Sequence, residues 1–222
     1  MFPILDEKCF AVGFGGRLLA NSSEGTNAPK YLNSPETSVF RKSELIFGAH
    51  QFAQLSMIDE IIVVEGYVDV IAVEQAAIPG VVATMGTAAT PQHFAALAQH
   101  GRAVNFCFDG DQPGRTAAFR TAAKLIAGDP DLLNRLQVRF TTLPSEHDPD
   151  SLIKELGRTV FLGQLQAGQY LDEFIVQELV AKHGDSSGNA NMLAQEAAEL
   201  MATVTHQRTH NRMRHLLADH IG

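Results

Sequence analysis

Several features are missing from this sequence or scarce in it, and each absence excludes a class of protein. No apolar run approaches the roughly 20 residues that a membrane-spanning helix needs, and the chain does not open with the basic and apolar segments of a signal peptide. The hydrophobic content of 45% is nevertheless ample for a globular core. We therefore expect an ordered globular protein with no membrane segment.

Cysteine is almost absent. Only Cys9 and Cys107 occur, and each stands among apolar neighbours. This pattern predicts two buried thiols in a reducing compartment rather than a disulfide. There is also no paired Cys or Cys/His cluster with the spacing of a zinc site, so we expect no bound zinc.

Tryptophan is absent, and basic residues are outnumbered. Without Trp, and with 7% aromatic residues, the sequence shows no aromatic platform for stacking single-stranded bases. The net charge of −8 argues, taken alone, against a nucleic-acid binder. However, residues 51–160 hold thirteen of the 25 acidic residues against eight of the 17 basic ones. Bound divalent cations would offset that local excess, so the net charge does not decide the function.

The middle of the chain alternates short apolar runs with helical patterns, which is typical of βαβ units and a parallel sheet. The predicted strands are Ile61–Val64, Val81–Thr84, Ala103–Phe108 and Leu136–Leu143. The predicted helices are Val68–Ala77, Pro91–His100, Gly114–Ala127 and one that begins at Ser151. The pattern predicts the α/β class, with helices flanking the sheet.

Both ends of the chain look different from its middle. Residues 10–19 predict an irregular β segment interrupted by glycines, residues 21–28 a polar loop, and residues 43–55 a helix. After Phe161 the strand signal disappears, and helices are predicted over residues 170–183, 191–203 and 205–221.

Acidic residues follow three of the predicted strands. Glu65 comes directly after IIVV, Asp109 and Asp111 after AVNFCF, and Asp148 and Asp150 after the fourth strand and a short loop. In an open parallel sheet, ligands bind beyond the carboxyl ends of the strands. Any one of these motifs is more often a surface turn, but three at one sheet edge favour a shared site.

The spacing of these acids suits hard divalent cations. Residues two apart in extended backbone project to the same side, so each D-x-D can direct two carboxylates at one place. Pro149 favours extended backbone at Asp148. Crowded carboxylates repel one another, and Mg²⁺ or Mn²⁺ relieves that repulsion while leaving positions for phosphate oxygens. The pattern therefore predicts metal-assisted chemistry on nucleotide phosphates.

Two nearby residues have alternative interpretations. Asp69, at the start of a predicted helix, either supports the site or caps the helix and interacts with its dipole. Arg115, in the run DGDQPGR, either meets a phosphate at a helix N-terminus or pairs with a neighbouring acid.

Longer motifs carry a family resemblance. They are GFGGR (13–17), PKYLNSPET (29–37), EGYVDV (65–70), ATMGTA (83–88), FDGDQPGR (108–115) and DPDSL (148–152). They resemble, in the same order, the bacterial DnaG-type replicative primases, whose catalytic core contains a TOPRIM domain. The resemblance runs from residue 2 to about residue 175 and is fainter beyond. Val68 stands where the family usually has methionine.

The resemblance implies synthesis of RNA primers on single-stranded DNA from ribonucleoside triphosphates, with Mg²⁺ or Mn²⁺. By position it implies metal ligation by Glu65, Asp109, Asp111, Asp148 and Asp150, with Asp69 in support. It also implies a basic surface that holds nucleoside triphosphate or the template and primer strands, formed by Arg17, Lys30, Asn33 and Lys42. Arg115 joins this predicted nucleotide-binding set through its position at a helix N-terminus.

The resemblance further implies three parts: residues 1–58 from the N-terminal polymerase subdomain, 59–158 as the TOPRIM subdomain, and 159–222 as a helical bundle. The zinc-binding and helicase-contacting domains of a full primase have no counterpart in the sequence. We therefore expect a monomeric catalytic-core fragment from the bacterial cytoplasm, whose full-length protein would meet the replicative helicase through a domain not included here.

Rival interpretations remain open. One is another TOPRIM enzyme, a topoisomerase or a nuclease, although Tyr31, Tyr67 and Tyr170 have no accompanying nucleophile motif. The other is an inactive fragment that only binds nucleic acid. His206 and His210, four apart on a helix, lack a third metal ligand. The arginines at positions 208, 212 and 214 fit an exposed helix face better than a nucleic-acid contact.

Overall fold

The chain folds into two sheets and a set of flanking helices. The computed structural model describes residues 1–17, 31–54, 58–85, 88–184 and 190–221. Its strands are β1 (Phe2–Leu5), β2 (Ala11–Arg17), β3 (Tyr31–Asn33), β4 (Ile58–Val64), β5 (Val81–Ala83), β6 (Gly101–Phe108), β7 (Gln137–Thr142) and β8 (Gln169–Tyr170). Its α-helices are α1 (Tyr67–Gln75), α2 (Pro91–His100), α3 (Gln112–Ile126), α4 (Pro130–Arg135), α5 (Pro149–Leu156), α6 (Arg158–Gln166), α7 (Leu171–His183), α8 (Ala190–Met201) and α9 (Gln207–Ile221).

The larger sheet has the order β5-β4-β6-β7-β8. Strands β4 to β7 pair in parallel, and β8 adds an antiparallel edge. This confirms the predicted α/β class with a parallel sheet between helices.

Both faces of this sheet are buried, which explains the unbroken apolar runs of its strands. In β4, Ile61 and Val63 pack into one cluster with α2, α3 and α7, whereas Ile62 and Val64 pack into another with α1, α5 and α6. Alternate residues of a strand point to opposite faces, so a run of four apolar residues supplies both layers. On β6 the polar Asn105 is fully buried, but its amide donates to the Leu165 carbonyl (2.9 Å) and accepts from the Thr141 hydroxyl (2.9 Å).

The smaller sheet, β1-β2-β3, is antiparallel and confirms the N-terminal β segment. It is joined to the larger sheet through Tyr67. The Tyr67 hydroxyl donates to the Gly16 carbonyl (3.0 Å), and its ring packs against Phe2 and Phe47. Phe47 in turn forms a β-bridge with Ala83 of β5. The N-terminal sheet therefore lies directly against the start of α1.

Three sequence expectations need correction or addition. The helix predicted over residues 43–55 is wrong: the Phe47 bridge and the positive φ of Gly48 (90°) interrupt it, and only a 3-10 helix, Ala49–Gln54, follows. Cys9 is exposed in a turn rather than buried, whereas Cys107 is buried as expected. The short elements α4, α6 and β8 were not predicted.

Helices α7, α8 and α9 form the C-terminal bundle that was expected. Side-chain pairs join them: His183 lies 2.6 Å from Glu196, and the buried Asp172 pairs with Arg212. Among the described helices, none is both long and apolar enough to span a bilayer. The polar loop predicted at residues 21–28 lies outside the described residues. Our division of the chain at residues 58 and 158 stays a prediction.

Candidate metal and nucleotide site

The topology creates a crevice between the carboxyl ends of β4 and β6. From β4 the chain passes through α1, on one face of the sheet, to β5 on one side of β4. It then returns through α2 to β6, on the other side of β4, and α3 follows on the opposite face. Connections that diverge in this way leave an open crevice, the usual ligand site of such sheets. Glu65 and Asp109 are the first residues after these two strands.

A cleft of about 390 Å³ opens at this crevice. It extends from the N-terminal sheet, across the ends of β4 and β6, to α3 and α5. Its acidic lining residues are Glu65, Asp69, Asp109 and Asp148; its other polar ones include Asn33, Thr84 and Thr121. The structure thus brings together four carboxylates that are up to 83 residues apart in the sequence, from position 65 to 148.

Glu65 and Asp109 are linked directly. The Asp109 N–H donates to Glu65 Oε1 (3.1 Å), which ties the end of β6 to the end of β4. Asp109 Oδ1 is buried and has no hydrogen-bond partner among the described residues. An unpartnered buried carboxylate oxygen is costly. This atom is therefore the strongest local indication that the site receives either a cation or a hydrogen-bond donor.

Burial and mutual repulsion raise the pKa values of these acids. The pKa of Asp109 is raised to about 8, first by desolvation and then by the charges of Glu65, Asp69, Asp148 and Asp111. The pKa of Asp69 is raised to about 7 by desolvation and then by the charge of Asp148, against the lowering effect of the Gly66 N–H. The pKa of Glu65 is raised by desolvation, against the lowering effect of the Asp109 N–H. Three acids with raised pKa values in one cleft are typical of a functional site.

Asp111 and Asp148 are held by helix N-termini. Asp111 caps α3 and accepts from the Gly114 N–H (2.7 Å), and Asp148 caps α5 and accepts from the Ser151 N–H (2.7 Å). The residue that precedes each helix therefore fixes the orientation of a carboxylate without any metal. Each cap uses one carboxylate oxygen in the described contacts, and α3 begins beside the Glu65–Asp109 pair.

Glycines make the close approach of these loops possible. A Cβ on Gly110 would lie 1.9 Å from the Pro144 carbonyl oxygen, and one on Gly114 would lie 2.4 Å from that of Asp109. In addition, the Gly110 N–H donates to the His147 carbonyl (2.9 Å). The D-G-D loop is thereby packed directly against the loop that carries Asp148.

The remaining two predicted acids occupy different positions. Asp69 lies on the first turn of α1, where its Oδ2 accepts a hydrogen bond from the Gly66 N–H (3.1 Å). This contact is the helix cap that was one of the two alternatives for Asp69. The same side chain also lines the cleft. Asp150 pairs with Lys154 Nζ at 2.6 Å and does not line the cleft. Its charge nevertheless contributes to the raised pKa of Asp69.

The acids share a cleft, but their side chains do not form a ready-made metal coordination site in the described residues. Within the described ranges, no three Asp, Glu, His or Cys side chains already converge on one metal position. The donor set still fits a hard divalent cation, because it consists of carboxylate oxygens, one of them buried and unpaired. Side-chain rotation would have to complete such a coordination sphere.

Of the predicted nucleotide-binding residues that the structure describes, only Asn33 lines the cleft. Its Oδ1 is buried without a hydrogen-bond partner in the described part of the chain. Arg17 ends β2 and is exposed, and Lys42 lies in a turn outside the cleft lining. Arg115 is directed to the C-terminal bundle, where it lies 4.0 Å from Glu178 of α7. Lys30 lies outside the described residues.

Sequence reasoning gave no role to three residues of the cleft wall. Thr84 and Met85 follow β5, and Met85 has a positive φ of 52°, which is uncommon for a residue other than glycine. Thr121 of α3 is buried and faces the cleft. The motif ATMGTA, noted only as part of the family resemblance, was the available signal for the first two.

Comparison with known proteins agrees with this architecture. The family model "Toprim domain" matches residues 59–137, and the model "DNA primase catalytic core, N-terminal domain" matches residues 1–53. The DNA primase of Legionella pneumophila is 46% identical over 180 residues, which are 81% of this chain and 30% of that protein. The DNA primase of Pseudomonas aeruginosa is 40% identical over 226 residues, which are 100% of this chain and 33% of that protein. The chain thus spans about a third of the length of these relatives.

Solved structures show the same relationship. A DNA primase domain from Pseudomonas aeruginosa superposes with a TM-score of 0.87 at 38% identity, covering 100% of this chain and 68% of that one. A DnaG catalytic core superposes with a TM-score of 0.85 at 33% identity, covering 100% and 70%. A DnaG primase catalytic domain bound to single-stranded DNA gives a TM-score of 0.82 at 32% identity, covering 98% and 68%. By its motifs, its fold and these likenesses, the chain belongs to the family of DnaG-type DNA primase catalytic cores.

Proposed function

We propose that this chain carries the catalytic site for synthesis of RNA primers, by metal-dependent transfer of ribonucleotides on a single-stranded DNA template. The observation that carries the proposal is the convergence of Glu65, Asp69, Asp109 and Asp148 on one cleft at the switch point of the sheet. Relatives named as DNA primases and the single-stranded DNA bound to a related catalytic domain support it.

We assign metal binding to Glu65, Asp109, Asp111 and Asp148, with Asp150 as a further ligand that must first leave Lys154. Mg²⁺ or Mn²⁺ bound there would neutralise triphosphate oxygens and the charge that develops as pyrophosphate leaves. Backbone N–H groups of the chain orient three of these carboxylates: those at the N-termini of α3 and α5 orient Asp111 and Asp148, and the Asp109 N–H orients Glu65. Asp69 acts as a positioning residue, because its contact is with the backbone N–H of Gly66 beside Glu65.

Asn33 is the residue best placed to contact the nucleotide. Its buried, unpaired Oδ1 lines the same cleft as Asp109 Oδ1. An amide oxygen accepts a hydrogen bond, so we assign it to a ribose hydroxyl of the entering nucleotide. Arg17, Lys30 and Lys42 would hold template and primer outside the cleft. Arg115 keeps its assignment as a phosphate contact only if it leaves Glu178.

The wider setting is part of the same proposal. We infer a monomer that acts in the bacterial cytoplasm, within a primosome where the full-length protein meets the replicative helicase. The substrates would be ribonucleoside triphosphates, and the product a short RNA paired to its template.

The decisive experiment is primer synthesis on single-stranded DNA with Mg²⁺ or Mn²⁺, comparing the unaltered chain with Asp109→Ala. We expect metal-dependent oligoribonucleotides from the chain and none from the variant. Asp219→Asn, at an exposed acid of α9, is the matched control and should retain the activity. Equal synthesis by Asp109→Ala would refute the assigned site.

Two further readouts separate the rival functions. Nicking or relaxation of supercoiled DNA that depends on Asp109, without primer synthesis, would identify a nuclease or topoisomerase. Calorimetry with Mn²⁺ distinguishes a working metal site from an inactive scaffold: we expect binding that Asp109→Ala weakens. Absence of both Mn²⁺ binding and synthesis would favour the scaffold.

A further inference from the structure

We propose that the chain has a second nucleic-acid site, a groove for single-stranded nucleic acid on the side of the molecule away from the carboxylates. We call it the arginine groove and define it by Arg102, Arg135, Tyr170, Arg208 and Arg212, which line one cavity of about 500 Å³. Arg102 lies at the amino end of β6, whereas the carboxylate cleft lies at its carboxyl end. At about 3.3 Å per residue, the length of this strand separates the two sites by more than 20 Å.

The groove is elongated. Next to the first cavity lies a second, of about 610 Å³, between α4 and α9. Arg208 and Arg212 line both cavities, and His215 extends the second. These positions recur every three or four residues along α9, so they share one face of the helix. An extended strand fits such a trough better than a single small anion does.

The charge of the groove is available to a ligand. Arg102 and Arg208 are exposed, and in the described parts of the chain neither has a hydrogen bond or an ion pair. Arg135 donates only its Nε, to the Asp131 carbonyl. Arg212 is fixed by the buried Asp172 and by Glu173. Three guanidinium groups can therefore contact phosphates, while the fourth is held in place by carboxylates.

Tyr170 supplies an aromatic surface inside this basic groove. Its side chain is 39% exposed, and the Arg212 guanidinium carbon lies 5.9 Å from the ring centroid. The residue is held by pairing with Arg139 on β7 and by its N–H, which donates to Glu173 (3.4 Å). A fixed aromatic ring in an arginine-lined groove is the usual arrangement for stacking unpaired bases. The structure thus provides the platform that the composition did not reveal.

This combination favours single strands over other anions. Planar guanidinium groups match phosphate oxygens in pairs, and the exposed ring face adds affinity only for bases that are not stacked in a duplex. The site does not depend on the carboxylates, so it can be tested in chelator and without nucleoside triphosphates, conditions in which primer synthesis cannot occur.

The test is fluorescence anisotropy of a labelled single-stranded oligonucleotide in EDTA at several salt concentrations. The parent protein carries Arg17→Ala, Lys30→Ala and Lys42→Ala, which remove the other proposed strand-binding surface. The double variant Arg102→Ala/Arg208→Ala should then have a weaker salt dependence. The negative slope of log K against log salt should become shallower by about 1.4, because each phosphate contact on a single strand contributes about 0.7. Tyr170→Leu should weaken binding by about fivefold or more, the loss of one stacked base.

Arg214→Ala is the matched control, since Arg214 is exposed on the same helix but lines neither cavity. It should leave affinity and slope at the values of the parent. The proposal is overturned if the parent does not bind, or if Arg102→Ala/Arg208→Ala behaves like Arg214→Ala. Equal affinity for duplex and single strands, unaffected by Tyr170→Leu, would also contradict it. Thermal unfolding of each variant checks that the fold is unchanged.

Discussion

Asp109→Asn should make the metal-free protein more stable while abolishing the proposed metal-dependent primer synthesis. The side chain of Asp109 has a raised pKa of about 8 because it is desolvated and faces three other acids of the cleft. When it ionises in the folded state, the fold pays a free-energy cost that the unfolded chain, surrounded by water, does not. Asparagine has nearly the same shape and removes the charge.

The magnitude follows from the change in pKa. Each pKa unit corresponds to about 1.4 kcal/mol, so the rise from 3.8 to about 8 sets an upper figure of about 6 kcal/mol at alkaline pH. Water in the open cleft screens the charge, and protonation of a neighbouring acid relieves it, so we expect about 2 kcal/mol at pH 8. For a chain of this size that is a rise in Tm of about 4–8 °C.

The pH dependence gives the sharper test. Between about pH 4 and pH 8 the folded state binds more protons at Asp109 than the unfolded state does, so the contribution of Asp109 to the stability of the unaltered chain falls as pH rises. The advantage of Asp109→Asn should therefore be largest near pH 8 and vanish near pH 4. Thermal unfolding in EDTA, with Asp219→Asn as control, measures it. A variant that is no more stable at pH 8, or equally more stable at pH 4, would refute this account.

Three further predictions concern the loops and the joint around the cleft. Asp148→Ala should lower the free energy of unfolding by about 1 kcal/mol in denaturant because it removes the cap of α5, whereas Asp148→Asn should keep the cap. Primer synthesis should fall in both variants. Its retention in Asp148→Asn would show that the carboxylate acts only as a cap. Gly110→Ala should unfold at a clearly lower temperature and lose activity, since its Cβ would lie 1.9 Å from the Pro144 carbonyl oxygen. Gly163→Ala on α6 is the control, because its Cβ would meet nothing within 4 Å, and it should stabilise the protein by about 0.5–1 kcal/mol. Equal effects of the two substitutions would contradict the packing argument. Tyr67→Phe should cost about 1 kcal/mol in the same unfolding assay through loss of the hydrogen bond to Gly16, and an unchanged free energy of unfolding would show that this bond does not help to join the two sheets.

The sequence allowed the parallel sheet and the acids at its edge to be predicted because both are encoded locally. The run IIVV has to be buried on both faces wherever it lies, and Glu65 follows it directly. The same reasoning placed Asp109 after the third predicted strand. These features depend on the pattern of apolar residues in a short segment and on which residue follows it, so no distant part of the chain is needed to predict them.

What could not be predicted depends on contacts between distant segments. Arg115 lies near Glu178, 63 residues further along the chain, and no spacing rule relates the two. The helix expected over residues 43–55 is interrupted by a bridge from Phe47 to β5. Tyr170 has a cation beside its ring only because α9 brings Arg212 to within 5.9 Å of the ring centroid. In each case tertiary packing decides between local alternatives that the sequence leaves equal.

The loops that carry Asp109 and Asp148 are joined through their backbones. The Gly110 N–H donates to His147, the Leu143 N–H donates to Phe108, and no Cβ separates Gly110 from the Pro144 carbonyl. The entropy lost in ordering the backbone of these two loops is therefore lost when the chain folds, and only the rotation of the carboxylate side chains is left for the arrival of a ligand. Under the proposed function, cation affinity would depend on the integrity of this junction, so a substitution that loosens the two loops would weaken binding without changing a single carboxylate.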